Sequence, residues 1–447
     1  MRVLIGFILL ITSCSTLHTS NLSNGTPLSS HMDKGLPRQI LTLQFSGLVN
    51  QLARDEQAFF PVISKVFDTG PTGMTEEEYK QKLFLLNASI SFNPAYRTFD
   101  VSIVSPPQHF EETLNLAFQV LRSPKLDPKN VTEAILNTKS NLQSSFSSMR
   151  TGLMYHAFKD YFKNDSLSLN GTTSPKDVSK MNKSNVVSLY KKIFTLEHVR
   201  AYSVGPIEAS SVASSLNAML TKYQVPTYTP YVFNKEIASP SPKVQIIHRP
   251  NVTDHQVLFL FHHKFDIGGK EGVVAQTMFD YFGGGLTGKL GMILREERGL
   301  TYHASANYGR YLPSWYIYSF AGSKQLESLL KGIVEVKKLT EESKVTTQEL
   351  YNIKSSLVAD FKQSYELPMD DLGLEAYADL FSFSVRSLRN FPDEVMTVST
   401  SDLESYKASI LSNKDFALYI MGDKNVIIPI LQRLGYKKVE VINETNL

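Results

Sequence analysis

The chain has 447 residues, 42% of them hydrophobic and 20% charged, which is the composition of a folded globular protein long enough for two or three domains. Its 46 basic and 43 acidic side chains leave a net charge of +3 without any basic block, so nothing calls for nucleic acid as a partner. A single cysteine excludes an internal disulfide and a thiolate zinc site, leaving packing to stabilise the fold.

At the N-terminus, Arg2 precedes an apolar run over 3–11, too short to span a bilayer but suited to the core of a secretory signal. Cys14 follows Ile11, Thr12 and Ser13, an order that resembles the bacterial lipobox, whose cysteine becomes the acylated first residue of the mature chain. Residues 1–13 are therefore expected to be a signal peptide and Cys14 the lipid anchor. Two or three acyl chains hold firmly, since each buried methylene adds about 0.8 kcal/mol. Ser15 rather than Asp after the cysteine points, under the sorting rule of Gram-negative lipoproteins, to the periplasmic side of the outer membrane. Residues 14–35, rich in Ser, Thr, Asn and Gly without an apolar period, are expected to be a lipidated flexible tether. In a bacterial chain the N-x-S/T sites carry no weight.

From 36 to 225 the pattern predicts a helix over 76–86, a strand pair over 88–92 and 98–104, and a helix over 107–121. A further helix over 128–146 starts with Asp127 as N-cap and Pro128 at its first position. Pro226, Pro230, Pro240 and Pro242 mark 226–242 as a linker. From 243 to 447 come a strongly apolar strand over 257–265, a helix-like stretch over 273–282, aromatic-rich strands over 302–311 and 315–321, and helices from Lys324 and Thr347.

The two stretches repeat each other. The segment 135–142, followed by Phe146, reappears as 350–357, followed by Phe361, at an offset of 215 residues. Ala201, Tyr202, Ser203, Val204 and Gly205 answer to Leu418, Tyr419, Ile420, Met421 and Gly422 at an offset of 217. Such a period is far too long for a solenoid and indicates a duplicated domain of about two hundred residues. Gly205 and Gly422 are placed to end the last strand of each unit.

The sharpest local pattern is Gly283-Gly284-Gly285-Leu286-Thr287-Gly288-Lys289-Leu290, leading into Arg295-Glu296-Glu297-Arg298-Gly299-Leu300-Thr301-Tyr302. With Phe67-Asp68-Thr69-Gly70 and Thr75-Glu76-Glu77-Glu78 in the first half, it resembles the insulinase/pitrilysin family of zinc peptidases. The resemblance implies an α+β fold of two repeated domains, each a largely antiparallel sheet packed with helices, closing as a clamshell on a peptide. Active members carry H-x-x-E-H, in which two imidazoles one helical turn apart hold zinc and the glutamate activates water. Here, in the register set by Phe67, those positions are Phe60, Ile63 and Ser64, and none of them can ligate zinc or act as a base. The family's third ligand, a later glutamate, is also missing, since 137–148 contains no carboxylate. The chain is thus expected to hold no metal and to have no catalytic residue of its own.

Other constellations are weaker. His109-Phe110-Glu111-Glu112 has Thr113 where a second histidine would stand, and acids collect naturally at a helix start. The segment 283–290 scans as a phosphate loop, but Leu290 replaces the magnesium-binding Ser or Thr and a helix precedes it in place of a strand. His262 and His263 alternate onto opposite strand faces and cannot chelate one ion. In two-chain bacterial peptidases of this kind, an Arg and a Tyr of the zinc-free chain hold the substrate backbone, and the resemblance assigns that role to Arg298 and Tyr302. Their structural alternative is an arginine at a helix end and a tyrosine packed in the sheet. The implied function is a non-catalytic subunit of a heterodimer with a zinc-bearing homologue, cutting peptides or unfolded proteins only as a complex. A free-standing peptide-binding or scaffold lipoprotein is the alternative, and an enzyme with relocated ligands finds no suitable His and carboxylate cluster.

Overall fold

The computed structural model describes residues 17–46, 56, 59–95, 98–162, 173–194, 199–220, 242–264, 269–285, 287–309, 313–365, 367–381 and 384–444. The proposed signal peptide, Cys14 and nearly all of the proline-rich 226–242 stretch lie outside them.

The first half runs β1 (Leu17–Asn21), β2 (Pro27–Met32), β3 (Gln39–Phe45), α1 (Phe60–Phe67), α2 (Glu76–Leu85), β4 (Ser89–Pro94) and β5 (Phe99–Ser105). It continues with α3 (Phe110–Arg122), α4 (Pro128–Phe146), α5 (Met149–Tyr161), α6 (Pro175–Ser179), α7 (Lys183–Ile193), β6 (Val199–Gly205) and α8 (Ala209–Leu220). The second half opens with β7 (Lys243–His248), β8 (Asp254–His262) and α9 (Lys270–Gly283). A helical turn, Lys289–Gly291, then enters a π-helix, Met292–Glu297, before β9 (Ala304–Tyr308) and β10 (Ser314–Gly322). Helices α10 (Leu326–Glu342), α11 (Thr347–Ser364), α12 (Pro368–Phe381), α13 (Val385–Arg389), α14 (Phe391–Thr397) and α15 (Thr400–Leu411) lead to β11 (Ala417–Gly422), α16 (Lys424–Arg433) and β12 (Glu440–Asn443).

Local chemistry explains several of these boundaries. Thr75 and Glu78 form a reciprocal capping box at the start of α2, as Thr346 and Glu349 do for α11. Asp127 accepts hydrogen bonds from the Lys129 and Asn130 amides ahead of Pro128, so α4 begins where the sequence predicts.

The duplication is visible in the topology. One six-stranded sheet has the order β1-β2-β6-β3-β5-β4 and the other β12-β7-β11-β8-β10-β9. Both are largely antiparallel, and they share a parallel pair in the same place, β2 with β6 and β7 with β11, to which the second sheet adds a further one. The edge strands differ: β1 comes from the N-terminus and runs antiparallel to β2, whereas β12 comes from the C-terminus and runs parallel to β7. This corrects the tether reading of 14–35, because 17–21 and 27–32 are strands of the first sheet. The segment lacks an apolar period because pairing with β6 orders it, and its Ser29, Ser30 and His31 are buried alongside Leu28. The folded first half therefore starts by residue 17, not 36.

Each sheet buries one face on its own helices. In the first half Leu41, Leu43 and Phe45 of β3 meet α1 and α3 through Val62, Phe67 and Leu114; in the second, Phe259 and Phe261 of β8 meet Met278 and Phe282 of α9. The other face of each sheet receives a helix from the opposite half. Helix α5 lies on β8 and β11, and α12 lies on β2 and β6. The exchange is reciprocal to the residue: Tyr419 on β11 donates to Asp160 of α5 at 2.7 Å, and Tyr202 on β6 donates to Asp379 of α12 at 2.9 Å.

Candidate functional site

Helix α1 carries Phe60, Ile63 and Ser64, the three positions that the sequence register sets against the zinc motif. Phe60 and Ile63 are 3% and 1% exposed and belong to the core of the first half. The Phe60 ring stands edge-on to Phe99 with centroids 6.0 Å apart. The Ser64 hydroxyl donates to the Phe92 carbonyl at 2.5 Å, which ties α1 to β4. These three side chains fill the helix–sheet interface with carbon and one satisfied hydroxyl, so the positions that would hold a metal are used for packing. Beside α1, a cavity of about 450 Å³ is lined by Lys65, Asp68, Glu76, Lys80, Glu133 and Asn137. Glu133 lies one turn before the carboxylate-free 137–148 window. Lys65 pairs with Asp68 at 3.2 Å, and Lys80 pairs with Glu76. Among the described residues, no group of three or more His, Cys, Asp or Glu is placed to hold a metal ion.

The Arg298–Tyr302 segment is built by an irregular helix end. The Arg298 amide donates to the Ile293 carbonyl at 3.1 Å, the π-helical spacing, and Leu300 donates to Leu294 at 2.8 Å. Gly299 takes φ +59 to reverse the chain, which a side chain would resist. Arg298 donates to Glu335 on α10 at 2.8 Å, and Tyr302 is 82% exposed. Tyr302 therefore does not pack in the sheet, and Arg298 has a protein partner at the surface. The two project from one turn, and neither lines the cavity beside α1.

The remaining candidates resolve into structural roles. His109 N-terminally caps α3, its carbonyl accepting from Thr113, while Glu112 pairs with Lys82 at 3.3 Å. Gly283 presses on β9 so closely that a Cβ there would lie 2.1 Å from the Ala306 amide nitrogen, and Lys289 donates to Glu349 at 2.6 Å. That glycine run serves helix-to-strand approach. His262 ends β8 with a buried Nδ1, and burial lowers the pKa of both His262 and His263.

A larger cavity, about 750 Å³, lies between the halves, where Thr42, Gln44 and Asp100 of the first sheet face Asp280 of α9 and Asp360 of α11. Sequence reading did not single these residues out; the available signal was polar side chains inside otherwise apolar strand and helix patterns.

Residues 180–357 match the family model described as the peptidase M16 inactive domain. No curated protein matches the sequence. Among solved structures, the chain is similar to a peptidase M16 inactive domain from Pseudomonas fluorescens, with a TM-score of 0.76 and 16% identity over 91% of this chain and 98% of that one. It is similar to a protease from Helicobacter pylori, with a TM-score of 0.75 and 13% identity over 91% and 99%. The periplasmic protease PqqL from Escherichia coli is matched with a TM-score of 0.73 and 11% identity, over 91% of this chain but 45% of PqqL. Residues 180–357 thus resemble the peptidase M16 inactive domain, and the chain as a whole shares the fold of the M16 structure it is matched to.

Proposed function

We propose that this chain is the non-catalytic, substrate-holding subunit of a two-chain peptidase whose zinc sits in a homologous partner. The observation that carries the reading is the pairing of a zinc-helix position filled by Phe60 and Ile63 with an outward Tyr302 beside Arg298. PqqL, a protease by name, is covered to 45% by this chain, leaving room in it for a second unit of similar size. A chamber made by one such chain can equally be made by two. Arg298 can leave Glu335 at little cost, because an exposed ion pair contributes about 0–1 kcal/mol. It can then give two parallel hydrogen bonds to a substrate carbonyl or carboxylate, while the Tyr302 hydroxyl polarises a carbonyl as charge develops. Acylation at Cys14 would hold the complex on the periplasmic side of the outer membrane.

Pull-down from membranes, followed by peptidase assay of the eluate, tests the pairing. Within the complex, Arg298→Ala or Tyr302→Phe should leave folding and assembly intact while turnover falls about a hundredfold. Unchanged activity, or full activity of the zinc chain alone, favours a free-standing binding lipoprotein. Cys14→Ser should move the protein from the membrane pellet to the soluble fraction; retention in the pellet after a high-salt wash would refute the anchor.

A further inference from the structure

The two halves treat their exchanged helices differently. On the second sheet, the strand face under α5 is apolar or aromatic, with Leu258, Leu260 and Tyr318 closing against Leu153 and Phe158. On the first sheet, the corresponding face of β3 and β5 carries Thr42, Gln44 and Asp100, and α12 covers the β2 and β6 side and packs with Ile40 at the start of β3 through Leu372. The uncovered part is one wall of the 750 Å³ cavity, and α9, α11, α12 and α14 supply the others. A volume of this size falls within the roughly 300–1,000 Å³ range of small-molecule sites.

Polar groups on an interior face are costly unless something satisfies them. Asp100 Oδ1 is inaccessible to solvent with no partner at that oxygen, although Thr98 and Gln44 hydrogen-bond the carboxyl group. Across the cavity stand the carboxyl groups of Asp280, Asp360, Asp370 and Glu394, while Val273, Leu357, Phe361 and Phe391 supply apolar surface. Among the described lining residues there is no lysine or arginine. Arg200 and Arg389, on neighbouring elements, are held by Asp379 and Glu375. Negative charge on several walls with an apolar floor suits a cation that is itself partly apolar.

We infer that the cavity between the halves binds an organic cation, an amine or guanidinium on an apolar stem, such as a basic side chain of a short peptide or a free diamine. The carboxylates stand on separate elements, so they surround an extended cation and do not converge on a point charge. Burial pushes the Asp100 carboxyl up to about 6, and burial together with the nearby Asp360 does the same for Asp280. A bound cation relieves that repulsion. This site is independent of any zinc-bearing partner, since it lies wholly within one chain.

Isothermal titration of the purified full chain at pH 7.5 tests the inference with three probes: cadaverine, the blocked tripeptide Ala-Lys-Ala, and its neutral norleucine counterpart. At least one cationic probe should bind saturably and the norleucine peptide should not. Binding by the tripeptide alone identifies a peptide side chain as the source, and binding by cadaverine a free amine. Asp280→Asn and Asp360→Asn should each weaken binding roughly tenfold or more, the worth of one charge-assisted hydrogen bond. Asp360 is exposed, so its variant should fold whatever the fate of the other. Glu111→Gln, on α3, should bind as the parent does. No saturable binding by either cation, equal binding of the neutral peptide, or unchanged affinity in both aspartate variants would overturn the inference.

Discussion

The exchanged helices provide a stability test because the repeat supplies its own control. Leu153 on α5 and Leu372 on α12 lie 219 residues apart, as do Asp160 and Asp379, so they hold equivalent places. Leu153 is fully buried among Ala157, Phe158, Leu258, Leu260 and Tyr419. Its truncation to alanine loses both the transfer energy and the contacts around an enclosed void, and should cost about 3–5 kcal/mol. Leu372 is nearly as buried, but it lines the 750 Å³ cavity, so its truncation enlarges an existing space and creates no new void. The expected cost is close to the transfer term alone, about 2 kcal/mol. Urea unfolding followed by far-ultraviolet circular dichroism and by Trp315 fluorescence measures both. Trp315 is buried in the second half and stacked on Phe261 with centroids 3.8 Å apart, so its signal reports the loss of that core. If Leu372→Ala costs as much as Leu153→Ala, or more, the two clefts are equally closed and the reasoning about an open cavity fails.

Gly283→Ala should destabilise by about 2 kcal/mol or more, because the added carbon would meet backbone at Ala306; Gly285→Ala, with open space and φ +55, should cost about 1 kcal/mol. Equal melting temperatures for the two variants would contradict the close approach of α9 to β9. The Asp100 carboxyl, raised to about 6, binds its proton more tightly in the folded state than in the unfolded one. Its contribution is therefore favourable at low pH and is lost as pH rises through about 6, so Asp100→Asn should gain about 1–3 kcal/mol over the parent at pH 7.5 and little at pH 4. A difference in melting temperature that does not change between those pH values would show that burial is not what perturbs the group.

The fold was legible where sequence carries its own period. Helix α4 keeps the predicted bounds because Asp127 and Pro128 state a helix start in local chemistry, and the duplication follows from matched segments at nearly one offset. Strands β1 and β2 were not legible, since their order comes from a ladder with β6, about 170 residues away, and a Ser- and Thr-rich edge resembles a linker. For helix α1, the sequence offered only a register that sets Phe60, Ile63 and Ser64 against the zinc motif. That Phe60 and Ile63 pack into the core, so that restoring a single histidine would not rebuild a site, required the neighbouring strands to be in place.

The reciprocal clasps between the halves show where the limit falls. Tyr202 and Tyr419 align as equivalents in the repeat, and each donates to an aspartate on a helix of the other half. Those aspartates are also equivalent, at 160 and 379, but nothing in the sequence links position 202 to 379 rather than to 160. Only the exchange of α5 and α12 between sheets makes the link. The same exchange decides the two clefts, because identical topology places a helix over both sheets and side-chain polarity then determines how far each closes. Leu258 and Leu260 draw α5 down over the second sheet, whereas Thr42, Gln44 and Asp100 give α12 nothing apolar to cover beyond Ile40 of β3. A duplicated domain has thus diverged in the polarity of one sheet face while keeping its frame, and the difference leaves a charged cavity on one side of the pseudo-symmetric pair and a sealed core on the other.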